Sequence, residues 1–272
     1  MEHFVLTRFN VATPGRESPI RNAPGWLERR FELFERFCLP SMAAQVESDF
    51  RWLIFFDRDT PARFRDRISD AAAKAPINPL FVPPGDLTGV AETVARLLDP
   101  GTRRVVTTRL DNDDAVARDY LARVRQMAAS VDDGTAINFP VGLALRDDRL
   151  FTARDESNPF VSVVEAARDL RTVWSAPHRN LGAEWNLVQV ETEPCWLQVV
   201  HGENVANRIS GRRLLDDSAL DTFAIEPRCI IERPALHERP LEALVRHPLR
   251  RLRELAIDAA RPLRDRLRRL LS

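Results

Sequence analysis

The sequence predicts an α/β fold with a mostly parallel central sheet flanked by helices and a basic helical tail at the C-terminus. Three observations predict it. Over the first 130 or so residues, apolar runs of strand length alternate four times with longer segments of helical period. Those runs are apolar nearly throughout, as in residues 52–56 (WLIFF), which is the pattern of strands buried on both faces. Polar or acidic residues close them: Asn10, Asp57 and Asp111–Asp114.

Residues 4–11 (FVLTRFNV) read as the first strand, with Asn10 near its end. A loop with Pro14, Gly15, Pro19, Pro24 and Gly25 follows. Residues 26–45 carry Trp26, Leu27, Phe31, Phe34, Phe37 and Cys38 at three- and four-residue spacing, which predicts a helix whose aromatics face the core. Pro40 kinks or breaks it. Residues 52–56 form the second strand and end in Asp57-Arg58-Asp59-Thr60-Pro61. Thr60 is placed to cap a helix with Pro61 at its first position, running to about Ala73. Residues 79–82 give a third short strand, and Asp86 or Thr88 opens a helix to Leu98. Residues 103–110 are the fourth strand, followed by Asp111-Asn112-Asp113-Asp114 and a helix from about Ala115 to Ser130.

The pattern changes after Asp133-Gly134. Residues 135–139, 141–145 and 150–153 read as shorter, partly antiparallel strands, and 160–167 as a short helix. Residues 196–200 (WLQVV) are another buried strand, ending in His201-Gly202-Glu203-Asn204. The chain divides into a domain over 1–240 and a basic amphipathic tail over 241–272. The tail holds nine arginines against four acids, with leucines at 249, 252, 255, 263, 267 and 270 and prolines at 248 and 262. Such a segment suits peripheral contact with an anionic membrane surface, or packing on the body or a partner.

Composition narrows the classes. The chain has 272 residues, 44% of them hydrophobic, and no net charge, so no overall field favours nucleic acid, and none is expected as a partner. Lys74 is its single lysine, which disfavours mechanisms that need a catalytic lysine. Three cysteines, Cys38, Cys195 and Cys229, form no CxxC pair and suit a reducing cytoplasm. Residues 1–4 (MEHF) lack a basic leader region, and no apolar run approaches the ~20 residues of a membrane span. The expected location is cytoplasmic, or peripheral at the inner membrane face.

The acidic run carries the chemistry. Three carboxylates within four residues repel one another unless a cation or solvent relieves them. Magnesium or manganese, which use one or two carboxylates plus substrate phosphates, would relieve them. An acidic turn capping the next helix fits those residues equally well. In parallel sheets, ligands bind beyond the carboxyl ends of the strands, where Asn10, Asp57, Asp59 and Asp111–Asp114 converge. Asp57-Arg58-Asp59 superficially resembles the haloacid-dehalogenase phosphatase motif, but Thr60 stands one place early and Lys74 lies on the following helix. Nucleotide-sugar transfer needs a cation to offset diphosphate charge and a polar group to read the nucleoside.

The chain resembles the GT-A glycosyltransferases, and within them the rhamnosyltransferase-like proteins. The residues that carry the resemblance are 6–10 (LTRFN), 26–45 (WLERRFELFERFCLPSMAAQ), 52–61 (WLIFFDRDTP), 107–116 (TTRLDNDDAV) and 196–208 (WLQVVHGENVANR). The resemblance implies a GT-A-like nucleotide-diphospho-sugar transferase fold, with a nucleotide-binding half at 1–130 and an acceptor half at 131–240. It implies that Thr7, Arg8 and Asn10 border the nucleotide pocket and that Asp57, with Asp59 beside it, reads the base. Asp111 would approach ribose or metal, Asp113 would be the main metal ligand, and Asp114 a second ligand or a helix cap. Arg109 would contact phosphate or pair with an acid. His201 would meet the metal or the diphosphate, with His178 a weaker candidate, and Asn204, Asn207 and Arg208 would hold phosphate or acceptor. Glu165, Glu184, Glu191 and Glu203 are the candidates for the base that deprotonates the acceptor. The implied reaction is metal-dependent transfer of a hexosyl unit, with rhamnose suggested by the family, from a nucleotide diphosphate sugar to a glycan or lipid-linked acceptor, using Mn2+ or Mg2+. The alternative on the same fold is a non-catalytic nucleotide-sugar or glycan-binding module.

Overall fold

The computed structural model describes residues 1–12, 17–202, 209–225, 232–253, 255–257 and 259. Its first half runs β1 (Glu2–Arg8), α1 (Glu17–Arg21), α2 (Trp26–Leu33), a π-helical turn (Phe34–Cys38), α3 (Leu39–Ala43), β2 (Arg51–Asp57), α4 (Ala62–Ala72), β3 (Ile77–Val82), α5 (Val90–Leu97) and β4 (Arg104–Arg109). There follow β5 (Ala115–Val116), α6 (Tyr120–Ser130), β6 (Thr135–Asn138), β7 (Val141–Arg146), β8 (Arg149–Arg154), β9 (Ser162–Ala166), α7 (Leu181–Glu184), β10 (Asn186–Gln189), β11 (Trp196–Val199) and α8 (Glu238–Leu241).

Among the described residues seven strands form the main sheet, in the order β10-β6-β9-β4-β1-β2-β3. β1, β2, β3 and β4 pair in parallel, β10 pairs in parallel with β6, and β9 alone runs against its neighbours β4 and β6. The fold class expected from the sequence, an α/β domain on a mostly parallel sheet, is the one observed. The chain builds β2 and β3 on one side of β1, then returns to lay β4 on the other. That reversal opens a crevice beyond the carboxyl ends of β1 and β4. A second sheet, β5-β11-β7-β8, stands beside the first.

Period-two alternation sends side chains to two cores. Val5, Phe9, Trp52, Ile54 and Phe56 pack beneath α2, α3 and α4 with Phe31, Phe34, Phe37 and Phe64. Phe4, Leu6, Leu53 and Phe55 pack on the other face with Val90, Val94, Val105 and Val163. Each such side chain contributes about 1.5–3 kcal/mol on burial.

Several elements differ from the sequence reading, among them α1, which forms in the segment read as a loop, and α5, whose N-cap is Gly89 and not Asp86 or Thr88. Residues 162–166 form a strand, not part of a helix: β9 fills the gap between β4 and β6, pairing Val106 with Val164 and Ala136 with Val163. A helix there would leave two inner ladders unpaired. The helix expected from Ala115 begins at Tyr120, because Ala115 and Val116 pair with Leu197 and Trp196 of β11. The acidic run therefore caps no helix. Thr60 does not cap α4, whose N-cap residue is Pro61; its hydroxyl donates to the Asp57 carbonyl at 2.5 Å. Pro40 does not break its helix. The main-chain N–H of Leu39 bonds back to Phe34 in the π-helical turn just before it, so the register has already changed where the proline lacks a donor. β10 is an addition that the sequence pattern does not predict. Among the described residues no helix is long and apolar enough to cross a membrane.

Candidate active site

Three strand ends meet at the crevice, and local hydrogen bonds hold each in place. After β1, the buried Asn10 accepts the Asp57 N–H at 3.0 Å and donates to the Thr60 hydroxyl at 3.0 Å, which locks the end of β1 to the end of β2. After β4, Asn112 donates to the Phe9 carbonyl at 2.9 Å and so ties the acidic turn to the end of β1. The turn then leaves the main sheet and enters β5 of the second sheet, so the acids sit at the junction of the two.

Asp114 and Asp113 divide the work at that junction. Asp114 accepts the Val199 N–H at 2.8 Å, which fixes the end of β11. Two residues later, His201 Nε2 lies 2.9 Å from Asp113 Oδ2. The same oxygen accepts Arg30 Nη1 of α2 at 2.6 Å. Arg30 also reaches Asn112 Oδ1 at 3.4 Å, and its guanidinium lies over the Trp26 ring at 5.4 Å.

Arginines pair with the other acids as well. Arg21 donates to Asp57 Oδ2 at 2.7 Å and to the Asn10 carbonyl at 2.9 Å, while Asp57 Oδ1 accepts the Asp59 N–H at 3.0 Å. Arg109 forks onto Asp111 at 3.1–3.3 Å. Burial alone would raise the Asp113 carboxyl, but the Arg30 charge and the His201 contact outweigh it and bring it down to about 2. Asp114 moves the other way. Burial first, then the charges of Asp113 and Asp111, push it well above the carboxylate range. The edge thus carries an ionised acid beside one held toward its neutral form.

The family model described as "Putative rhamnosyl transferase" matches residues 2–213. The chain belongs to that family. It is a glycosyltransferase family, and the match spans both sheets and the whole acidic edge. No curated protein matches the sequence. Among solved structures, S. aureus TarS 1-349 in complex with UDP superposes with a TM-score of 0.47 at 9% identity, covering 74% of this chain and 61% of that one. The mannosyltransferase PcManGT from Pyrobaculum calidifontis, in complex with GDP-Man and Mn2+, superposes at 0.42 and 14% identity, covering 74% and 57%. The chain therefore spans less than two thirds of the length of either.

Within this rhamnosyl transferase family chain, the expected site residues separate into three groups. Asn10, Asp57, Asp59, Arg109, Asp111, Asp113 and His201 gather at the strand-end crevice, with Arg8 closing β1 beside them. His178 lies near Arg109, whose charge, after burial, lowers the imidazole pKa. Other residues are not brought there. Thr7 is fully buried and accepts the Trp52 indole N–H at 2.9 Å, inside the core. Glu165 pairs in register with Val105 at the start of β4, the opposite sheet edge, where it accepts the main-chain N–H groups of Arg171 and Thr172. Glu184 precedes β10 on that same far edge and pairs with Arg171. Glu191 follows β10 on the crevice edge, three strands from β4, and pairs with Arg154 at 2.6 Å. Glu203, Asn204, Asn207 and Arg208 lie outside the described residues.

Sequence reasoning misses Arg21 and Arg30. Arg30 stands four residues after Trp26 on an otherwise apolar helical stripe, and that placement is the available signal. Among the described residues no group of three or more His, Cys, Asp or Glu gathers as a metal cage. Asp111 is paired with Arg109 and Asp113 with Arg30, while Asp114 faces β11; Asp113 and His201 are the two that also touch each other. The Asp113 carboxylate fits a magnesium or manganese ion whose remaining positions belong mostly to phosphate oxygens and water, with the His201 imidazole beside it placed to meet the ion or the diphosphate. The two do not fit an ion held by protein alone.

Proposed function

We propose that this chain transfers a hexosyl unit, rhamnose in keeping with the family's name, from a nucleotide diphosphate sugar to a glycan or lipid-linked acceptor, and that its tail brings it to a membrane surface. The observation that carries the transferase reading is the meeting of Asp113 and His201. They come from turns 88 residues apart and converge where β4 hands the chain to the second sheet. Mn2+ or Mg2+ bound with the donor would neutralise the diphosphate leaving group. Asp113 and His201 would hold that cation jointly with the diphosphate. Asp57, fixed by Asn10 and Arg21, would orient the nucleoside, and Arg109 suits bidentate contact with phosphate. Glu165 and Glu184 stand on the far edge and Glu191 three strands from β4, so of the four carboxylates Glu203, two residues after His201 in sequence, is the one that would deprotonate the acceptor hydroxyl.

Calorimetric titration with uridine, guanosine and thymidine diphosphates, with and without MnCl2, tests this reading. Asp113→Asn should abolish the manganese-dependent part of binding, and Asp57→Ala should weaken binding while keeping the manganese dependence. Unchanged manganese-dependent affinity in Asp113→Asn would overturn the assignment.

A further inference from the structure

The C-terminal helical stretch docks on the body by its polar side. Glu242, buried in a π-helical turn at 242–246, accepts the Arg213 main-chain N–H at 3.1 Å and pairs with Arg250. Arg250 in turn donates to the Gly211 carbonyl at 3.1 Å and lies over the Phe151 ring at 5.2 Å. Arg213, itself buried, donates to the Glu232 carbonyl at 2.8 Å. These contacts hold the helix against β8 of the second sheet and the strand-like segment after it.

The other side is apolar and open. Leu241, Leu244, Val245, Leu249, Leu252 and Leu255 recur at three- and four-residue intervals, so they share one face. All are exposed, Leu244 at 77% and Leu252 at 62%. A helix packed on its own domain turns such a stripe inward. Here the salt-bridged face is inward and the leucines face out, and an exposed apolar stripe of this extent marks a contact surface. Arg246, Arg251 and Arg253 are exposed alongside the stripe. Residues 241–272 hold nine arginines against four acids in sequence, and Glu242 and Arg250 already pair with each other against the body. A second copy laid stripe to stripe would set arginine margins against arginine margins. An anionic lipid surface offers the opposite charge to those margins and an apolar layer to the leucines.

We propose that this helix lies in the headgroup plane of an anionic membrane, with its leucines in the acyl boundary and its arginines at the phosphates. The Glu242–Arg250–Arg213 contacts then hold the strand-end crevice at a fixed attitude to the lipid. The inference rests on and deepens the reading that the tail meets a membrane; it is read without any sugar nucleotide, so it and the transfer reading fail separately.

The test sediments the full chain with vesicles of phosphatidylglycerol and phosphatidylcholine, or of phosphatidylcholine alone. The chain should pellet with the anionic vesicles, stay in solution with the neutral ones, and be released by high salt. Leu244→Asp with Leu252→Asp should cut anionic vesicle binding at least tenfold while leaving the melting temperature unchanged, because both side chains are exposed. Failure of the unaltered chain to pellet overturns the proposal, as does equal pelleting of the double variant. A concentration-dependent dimer that the double variant dissociates, without lipid binding, would make a second copy the occupant and also overturn it.

Discussion

Arg30→Met would unmask Asp113. In the unaltered chain the two side chains are 14% and 8% exposed and meet at 2.6 Å, so the pair is close to fully desolvated. Removing one partner of such a pair costs about 3–5 kcal/mol, because the other charge stays buried and uncompensated. His201 keeps its contact with Asp113, so the lower end, about 3 kcal/mol, is expected. For a chain of this size each kcal/mol shifts the melting temperature by about 2–4 °C, so the variant should melt roughly 6–12 °C lower. Manganese should return part of that loss, since the substitution removes the guanidinium that competes with the cation for Asp113 Oδ2. At tenfold excess over its dissociation constant the ion restores about 1.4 kcal/mol. Thermal unfolding followed by circular dichroism, with and without MnCl2, reads both effects. Equal melting temperatures for variant and parent would show that Arg30 does not sustain Asp113. Equal manganese shifts in the two would show that guanidinium and cation do not compete for that oxygen.

Acid should destabilise the chain through His3, which burial foremost, aided by the Arg125 charge, holds at about 3. Its folded pKa lies below the unfolded value of about 6.5, so its contribution is complete above that value and is lost as pH falls toward 3. Between pH 7 and pH 4 the loss is about 3 kcal/mol. His3→Gln, which keeps a polar partner for the Thr108 hydroxyl, should flatten urea midpoints across that window by about this amount; an unchanged slope would exclude His3 as the cause. Gly142→Ala should cost about 3 kcal/mol. The added methyl carbon would lie 2.1 Å from the Trp196 ring, which is pinned by its N–H to the Phe139 carbonyl and by stacking on Phe160. Chemical denaturation measures it, and a neutral substitution would mean the ring can move.

Much of the first half is legible because its strands are buried on both faces and flanked by helices of clear period. β1 to β4 all follow from the sequence, with ends shifted by a few residues. β9 reads as helix because Phe160, Val161, Val163 and Val164 fit a helical face as well as a buried strand, and only the open slot between β4 and β6 decides. β10 is four residues long and half-exposed, and β5 is two residues long, so neither leaves a periodic signal. The crevice is legible for a simple reason: polar residues at the ends of apolar runs converge once the strands are parallel. Thr7 is misplaced when alternation is ignored, since it shares a face with Val5 and Phe9 and so points toward Trp52. Arg21 falls in a segment that reads as a loop, and the place of Arg30 on an apolar helical stripe marks it as unusual without telling which distant carboxylate it meets.

The π-helical turn at Phe34–Cys38 sets the phase of a single rod that serves two sheets. Upstream of it, Arg30 reaches the acid at the end of β4. Downstream, the Ser41 hydroxyl accepts the Val116 N–H at 3.3 Å, and Gln45 bonds the Ala117 carbonyl at 2.7 Å and the Leu121 N–H at 3.0 Å. One added residue in a turn rotates everything beyond it by about 100° relative to an unbroken α-helix. That rotation lets one side of the rod address the main sheet while the next addresses the link into the second. The rod thus behaves as a keyed coupling: the angle between Arg30 and Ser41, and with it the alignment of Asp113 with the strand that delivers His201, is built into its winding.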